Sequence, residues 1–525
     1  MRNGESYRRL NGRERQRVSL GELLRMSAER YGERPFVIRA ETGETLTYTQ
    51  FNTLTNRIAH GLTPLGIQRG DYVGIMLPNG IPFLAASYAM KKLGVVEVSI
   101  NNTMRGLPLT RMINLTGCRT LITTAQFLDP ITNVLSDLTS LERLVLVDGL
   151  EEAQVRFGKR LQLSSFGALV SDNDSEATQP VRDDETAVIL FTSGTTGVSK
   201  GCAIPHRSSV RAAESMIEAF DLTEEDCVYS PYPLFHVGAA QYDVLPAMMV
   251  GGRAVIRDGF SLSNFWREVC HYQATWFMAL GSVQPLLWAQ EPCPEETAHN
   301  MRFFWGTPLP VDHDAFEARF KLKVARGGGY GSTDAGSVAL PMWGKPGAGK
   351  VLDRYEVAIV DEHDDILPQG DIGELVIRPK EPAIMASEYL GMPDRTLKAW
   401  RNLWFHSGDL ARLDEDGDLH WIARISERIR VKGEMVSGYE IEEGILTHPD
   451  VEDCAVIGIP DGRGEEQVKA FITLSSVKPL SLAELQAYCQ PRMSRFMVPT
   501  VLEILDEMPR TPTGKPAKAE LRKRV

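Results

Sequence analysis

From about Tyr48 onward the chain alternates between two hydrophobic periods. Residues 50–62 place apolar side chains at helical spacing and stop at Pro64, and residues 81–93 repeat the helical pattern. Between and after them lie short apolar runs at 72–76, 95–100, 120–123 and 144–147, read as strands. A second cycle follows, with strands at 254–256 and 274–280 flanking a helix at 263–272. Strands separated by helices predict a mostly parallel sheet with helices on its faces. The acidic, Pro-containing stretch 171–185 reads as an exposed connector. After Gly331 the strands at 357–360 and 374–377 are joined by turns such as Gln369-Gly370-Asp371, which predicts a small antiparallel, barrel-like unit. From about Arg428, strands at 454–459 and 469–474 and a helix at 481–489 predict a small α+β domain. The expected fold is α/β: a large N-terminal domain of layered sheets and helices with a barrel-like subdomain, then a small C-terminal domain. The expected boundaries are a flexible tail over 1–18, the large domain over 19–425 and the small one over 426–525.

Length and charge narrow this picture. At 525 residues the chain exceeds a single core and calls for roughly two to four structural units. Its 57 basic against 69 acidic residues leave a formal net charge of −12, without the basic footprint of a nucleic-acid or anionic-membrane binder. The basic opening (Arg8, Arg9, Arg13, Arg15, Arg17) lacks the apolar stretch of a secretory signal and reads as a solvated tail. No apolar run approaches the roughly 20 residues a membrane span requires. Seven scattered cysteines form no zinc or thioredoxin pair, and reduced thiols in the cytoplasm are expected.

The most informative segment reads Phe-Thr-Ser-Gly-Thr-Thr-Gly-Val-Ser-Lys-Gly over 191–201, directly after the apolar run 186–190. Glycines admit backbone N–H groups to an anion, hydroxyls donate hydrogen bonds, and Lys200 brings a mobile charge. A Walker loop has Gly before its Lys and Ser or Thr after it. Here Ser199 precedes Lys200 and Gly201 follows, which excludes that signature. Taken alone, the segment is also compatible with an ordinary Gly/Ser/Thr surface turn. Three further stretches add chemistry. Gly327-Gly328-Gly329-Tyr330-Gly331-Ser332-Thr333-Asp334 sets an aromatic ring beside glycines, then a hydroxyl and a carboxylate suited to a flat base and to Mg²⁺. Trp404-Phe405-His406-Ser407-Gly408-Asp409 ends in a carboxylate suited to ribose hydroxyls, with Arg424 downstream. Arg510-Thr511-Pro512-Thr513-Gly514-Lys515 predicts a turn presenting one Lys.

Together, in this order, these segments resemble the superfamily of acyl-CoA synthetases, peptide-synthetase adenylation domains and firefly luciferase, from about Ser19 to the end. The nearest branch in resemblance is that of crotonobetaine/carnitine–CoA ligases and fatty acyl-CoA synthetases. The resemblance implies ATP, Mg²⁺ and coenzyme A as cofactor and cosubstrates, and a mobile C-terminal domain. It implies that Thr192, Ser193, Gly194, Thr195, Thr196 and Lys200 hold the β- and γ-phosphates, with Thr195 also near the metal. Gly328, Gly329 and Tyr330 would flank adenine, Thr333 the α-phosphate and Asp334 the Mg²⁺. Asp409 and Arg424 would hold the ribose, and Lys515 would stand between carboxylate and α-phosphate. His236, in Pro233-Leu234-Phe235-His236-Val237-Gly238, matches the gate of the acyl pocket, although a His beside apolar residues is commonly structural. Lys432 and Gly433 match the loop lining the thiol tunnel, and a plain turn is the alternative there.

Four positions depart from the family pattern: Ser199 in place of Pro, Asp334 in place of Glu, Ala423 in place of Gly, and Ser426 at the hinge in place of Asp or Lys. None removes a charge that adenylation needs. The expected function is an ATP-dependent carboxylic acid–CoA ligase acting through an acyl-adenylate and releasing pyrophosphate and AMP. The alternative is an adenylating enzyme that passes the acyl group to a carrier-protein thiol, an amine or a separate thiolation enzyme. Partners are a small carboxylic acid and a CoA or carrier-protein thiol, with a homodimer compatible and no nucleic acid or membrane span. The acyl pocket is expected from 237–241, 305–307 and 327–329, where small residues make room for a bulky acid. Trp305 would cap it or stack on a quaternary ammonium.

Overall fold

The computed structural model describes residues 17–192, 200–280, 283–306, 312–325, 328–343, 345, 347–425, 428–431, 434–460, 466–475, 479–511 and 515–524. The chain forms two compact units. The first comprises Met1–Pro346, Leu352–Tyr355 and Pro379–Lys398, and the second Gly347–Val351, Glu356–Arg378 and Ala399–Val525.

Two sheets build the first unit. One runs Gln162–Ser165, Arg143–Leu146, Thr120–Thr123, Tyr72–Ile75, Val96–Ser99, Thr186–Thr192 and Lys200–Pro205. It is parallel except for the last pair, an antiparallel hairpin. The other runs Lys323–Val324, Phe303–Trp305, Trp276–Met278, Cys227–Ser230, Arg253–Ile256, Pro35–Arg39 and Thr45–Thr47.

Alternation along the strands decides the layering. In the second sheet Val228, Ala254, Trp276, Met278, Phe303 and Trp305 join the largest core, shared with Val73, Ile75, Ile122 and Val145 of the first sheet. Their neighbours Tyr229, Val255, Phe277 and Phe304 point to a separate core on the outer face, while Leu121, Leu144 and Leu146 do the same for the first sheet. Strands buried on both faces read as continuous apolar runs, as these do.

Expected and observed elements differ mainly at their ends. The first expected helix spans Tyr48–Leu62, because Thr47 and Gln50 form a reciprocal capping box that starts it two residues early. Helix Ile81–Leu93 agrees at both ends, set by Pro82 and by Gly94 at φ 70°. It is buried on every side, including Lys91 and Lys92.

The stretch 171–185 is mostly exposed, as its polarity predicts, but it is anchored to the body of the unit at several points. Ala177, Val181 and Asp183 are buried, and Glu176 pairs at 2.7 Å with Lys92, whose side chain is fully buried. Asn52 accepts a second bond from the same ammonium at 2.8 Å. Burial opposes the charge on Glu176, but hydrogen bonds from Lys92 and Thr178 hold its pKa down at about 2.

The second unit carries the antiparallel strands that the short strand-and-turn pattern predicts. Gly349–Val351, Asp418–Arg424, Phe405–Leu413, Gly373–Pro379 and Tyr355–Val360 follow one another in that order. The chain continues through hairpin Arg428–Val431 with Glu434–Ser437 and helix Gly438–Leu446. Strands Val451–Pro460 and Glu466–Leu474 then pair antiparallel, and Val501–Ile504 joins Glu466–Leu474 in parallel. Helix Leu482–Cys489 starts at a Ser481/Glu484 capping box. Among the described residues, no helix is long and apolar enough to cross a membrane.

Candidate active site

In the first unit, Thr192 and Lys200 are Cα partners at the mouth of the antiparallel hairpin, so the two ends of the hydroxyl- and glycine-rich loop leave from one point. Ser193, Gly194, Thr195 and Thr196 lie outside the described residues. Lys200 Nζ sits 4.0 Å above the Tyr389 ring, a cation–π contact, with no acidic partner among the described residues. Thr192 Oγ1 is buried, with the Cys202 sulfur near enough to interact with it. An ammonium without a carboxylate among the described residues and a buried hydroxyl, at the two ends of a glycine-rich segment, suit an incoming polyanion.

The strand Lys200–Pro205 is completed on its free side by residues 386–390. Ser387 N donates to Ala203 O at 2.9 Å, Ala203 N to Glu388 O at 3.0 Å, and Leu390 N to Gly201 O at 2.8 Å. The same segment reaches the second motif, since Ala386 N donates to Asp334 O at 2.8 Å. Asp334 and Thr333 occupy the turn between strands Tyr330–Ser332 and Gly336–Leu340. That turn is fixed by Ala335 N donating to Ser332 Oγ at 3.0 Å and by the Tyr355 hydroxyl donating to Ala335 O at 3.0 Å. Gly329 and Gly336 adopt φ of 71° and 70°, where a side chain would be strained. Asp334 Oδ1 accepts from the Cys202 thiol at 3.0 Å. Burial first, then the Asp334 carboxylate, push Cys202 well above the ordinary thiol range, against the pull of Lys200.

The donor set fits a magnesium–nucleotide: a carboxylate at Asp334, hydroxyls at Thr192 and Thr333, and the Lys200 ammonium are hard oxygen ligands and an anion partner. Gly328, Gly329 and Tyr330 form the approach to this turn, with Tyr330 largely buried.

His236 is half-buried beside the Phe235 ring at 4.6 Å. Its Nε2 has no partner among the described residues, and burial lowers its pKa to about 4. The following residues, Gly238–Val244, wind as a π-helix, a departure from the α-helix that often marks a functional site. Gly238 faces Met278, whose Cε would lie 3.0 Å from an added Cβ. Trp305 contacts Tyr242 edge-on at 6.1 Å and Phe220 at 6.0 Å, with its indole N–H unpartnered among the described residues. Thr307 and Gly327 of the expected pocket lie outside the described residues.

In the second unit, Asp409 and Arg424 are cross-strand partners. Asp409 is 1% exposed, and its Oδ1 accepts from Arg424 Nε at 3.0 Å and from Trp421 Nε1 at 3.1 Å. The turn before it is tied down by Glu374, which meets His406 Nδ1 at 2.9 Å and accepts from Gly408 N at 3.1 Å. Arg401 bridges Glu374 and Asp364, both at 3.0 Å. Lys515 is exposed in the turn closed by Thr511 N donating to Lys515 O at 2.7 Å. Arg510 at its base pairs with Asp453. Lys432, Gly433 and Ser426 lie outside the described residues.

Sequence reasoning missed Cys202, Tyr389, Glu374 and Trp421, all of which hold candidate site residues. Glu374 carried a signal, since it opens an expected strand. Cys202 and Tyr389 carried none, because their partners are remote in sequence.

A mostly parallel α/β core whose strand ends lead into a hydroxyl- and glycine-rich segment and a carboxylate-bearing turn fits the class of nucleotide-dependent enzymes. The chain belongs to the family of AMP-binding enzymes, whose sequence profile it matches over residues 24–390, and residues 440–515 match the profile of the AMP-binding enzyme C-terminal domain. Among its relatives is the crotonobetaine/carnitine–CoA ligase of Salmonella typhi, 31% identical over 485 residues that cover 91% of this chain and 93% of the relative. The Citrobacter koseri protein of the same name is 31% identical over 513 residues, covering 94% and 97%. Of solved structures, the anthranilate CoA ligase in complex with anthranoyl-AMP superposes with TM-score 0.87 at 22% identity, covering 97% of both chains. The Mycobacterium tuberculosis fatty acyl CoA synthetase gives 0.71 at 27% identity, covering 96% and 98%.

Proposed function

We propose that this protein is an ATP-dependent carboxylic acid–CoA ligase that works through an acyl-adenylate. The observation that carries the reading is the phosphate-loop hairpin: among the described residues Lys200 meets an aromatic face and no carboxylate, the Thr192 hydroxyl stands across the hairpin from it, and Asp334 is held to the same strand through Cys202. Family membership supplies the reaction class, and the relatives are named as CoA ligases.

In the first step a carboxylate oxygen of the acid attacks the α-phosphorus of ATP, and the bond to the β-phosphate breaks. Two anions must meet, so cations must stand near them. Lys200 serves the β- and γ-phosphates together with Thr192, Ser193, Gly194, Thr195 and Thr196. Lys515 serves the approach of carboxylate and α-phosphate, and Thr333 donates to the α-phosphate. Mg²⁺, when bound, neutralises phosphate charge, and Asp334 with Thr195 would hold it. Tyr330, Gly328 and Gly329 flank the adenine, and Asp409 with Arg424 hold the ribose. In the second step the CoA thiolate attacks the acyl carbon and AMP leaves. Lys432 and Gly433 line the thiol's path, and Ser426 is the hinge between functional domains 19–425 and 426–525.

The aromatic wall of Trp305, Tyr242 and Phe220, with glycine at 238, supports a bulky acid, and His236 stands at its gate. Seven free cysteines support a reducing compartment such as the cytoplasm. The test is a panel of carboxylic acids in ATP–pyrophosphate exchange, followed by mass spectrometry after adding CoA. An exchanging acid that yields acyl-CoA supports the reading. Exchange without any acyl-CoA would point to a carrier-protein thiol or an amine instead, and no exchange with any acid would overturn adenylation.

A further inference from the structure

Cys202 and Asp334 are 132 residues apart in sequence, yet the sulfur of one lies 3.0 Å from Oδ1 of the other. A thiol this close to a carboxylate oxygen must donate its proton to it. Lys200 and Cys202 are i and i+2 on one strand, so their side chains share a face. Cys202 also forms a backbone bridge with Tyr389, the residue beneath the Lys200 ammonium. Three residues before Tyr389, Ala386 N holds the Asp334 carbonyl at 2.8 Å. Asp334 is therefore gripped twice from the phosphate-loop strand: at its side chain by Cys202 directly, and at its backbone through residues 386–390. Neither of the turn's other bonds holds the Asp334 carboxylate, because Ala335 N donates to Ser332 Oγ and the Tyr355 hydroxyl donates to the Ala335 carbonyl.

We propose that Cys202 is a positioning residue for Asp334: its S–H occupies Oδ1 and keeps the carboxylate facing the cation that accompanies ATP, joining the phosphate loop and the metal-binding turn into one preorganised unit. This rests on the reading of Asp334 as metal-facing. Asp334 stands where the family pattern has the longer Glu, and the thiol fixes the shorter arm that results.

The test is calorimetric titration of α,β-methylene-ATP, with Mg²⁺ or with EDTA, into wild type, Cys202→Val, Asp334→Ala and the double variant. Cys202→Val should weaken the magnesium complex about fivefold, the size of one net hydrogen bond, and leave binding in EDTA unchanged. In the Asp334→Ala background the same substitution should cost nothing further. Cys202→Val binding the magnesium complex like wild type, losing equally with and without Mg²⁺, or losing as much in the Asp334→Ala background would each overturn the proposal. Asp334→Ala keeping the full magnesium dependence would instead overturn the underlying role of Asp334. If the melting temperature of Cys202→Val falls, Cys202→Ser decides. It keeps a donor and should recover most of the affinity, and a serine variant no better than valine refutes the inference.

Discussion

Asp409→Asn separates a buried structural carboxylate from a ribose-binding one. In the structure Oδ1 takes both the Arg424 guanidinium, at 3.0 Å, and the Trp421 indole N–H, at 3.1 Å. Asparagine keeps one acceptor oxygen and the shape, but removes the charge. The Arg424 side chain is 41% exposed, so water screens most of its loss and the stability cost should be only about 1 kcal/mol. Nucleotide binding should suffer more. A hydrogen bond from a ligand hydroxyl to a charged acceptor contributes about 1.5–3 kcal/mol, which predicts roughly 10- to 100-fold weaker ATP binding. The assay is calorimetric titration with ATP and with 2′,3′-dideoxy-ATP, alongside thermal melting. Wild type should discriminate strongly between the two nucleotides, and the variant should discriminate little. If Asp409→Asn prefers ATP over the dideoxy form as strongly as wild type does, the carboxylate serves only Arg424 and Trp421, and the ribose role is wrong.

Lys515→Ala should lower pyrophosphate exchange by on the order of 10²- to 10³-fold, the usual cost of removing a group that stabilises developing charge. The same variant should still convert a supplied acyl-adenylate to thioester, and equal losses in both steps would contradict the assignment. Gly238→Val should raise KM for bulky acids about tenfold and spare small ones, because the new side chain must displace Met278. An unchanged acid profile would remove Gly238 from the pocket wall. His206 accepts from Leu20 N at 3.1 Å, and burial holds its pKa down to about 3, against about 6.5 in an unfolded chain. The unfolded state therefore takes up a proton that the folded state refuses. Stability should fall as pH drops through 6.5 toward 3, by about 2 kcal/mol at pH 5 from this residue. Melting curves at pH 7.5 and pH 5 should show a smaller difference in His206→Gln, and an equal difference would place the titration elsewhere.

Local patterns sufficed for much of this protein. Helix Ile81–Leu93 is bracketed by its own Pro82 and Gly94, and the hydroxyl- and glycine-rich segment 191–201 stands out in composition, although only its order with the other motifs separates it from a surface turn. Such features depend on neighbours in sequence, so sequence suffices to read them. The polar stretch 171–185 is mostly exposed, as its composition predicts, but its anchor on the buried Lys92 was not legible, because a charged residue looks solvent-bound until its partner is known. The π-helix at Gly238–Val244 was invisible for the same reason: its residues have no intrinsic preference for that winding. Only the tertiary structure set Cys202 against Asp334, Tyr389 beneath Lys200, and Glu374 behind the Asp409 turn. Each is a contact between distant segments that forms when strands find their register. Sequence alone determined that this chain handles a nucleotide and an acid; the fold decided which side chains aim the groups that do so, since aim is a property of packing rather than of composition.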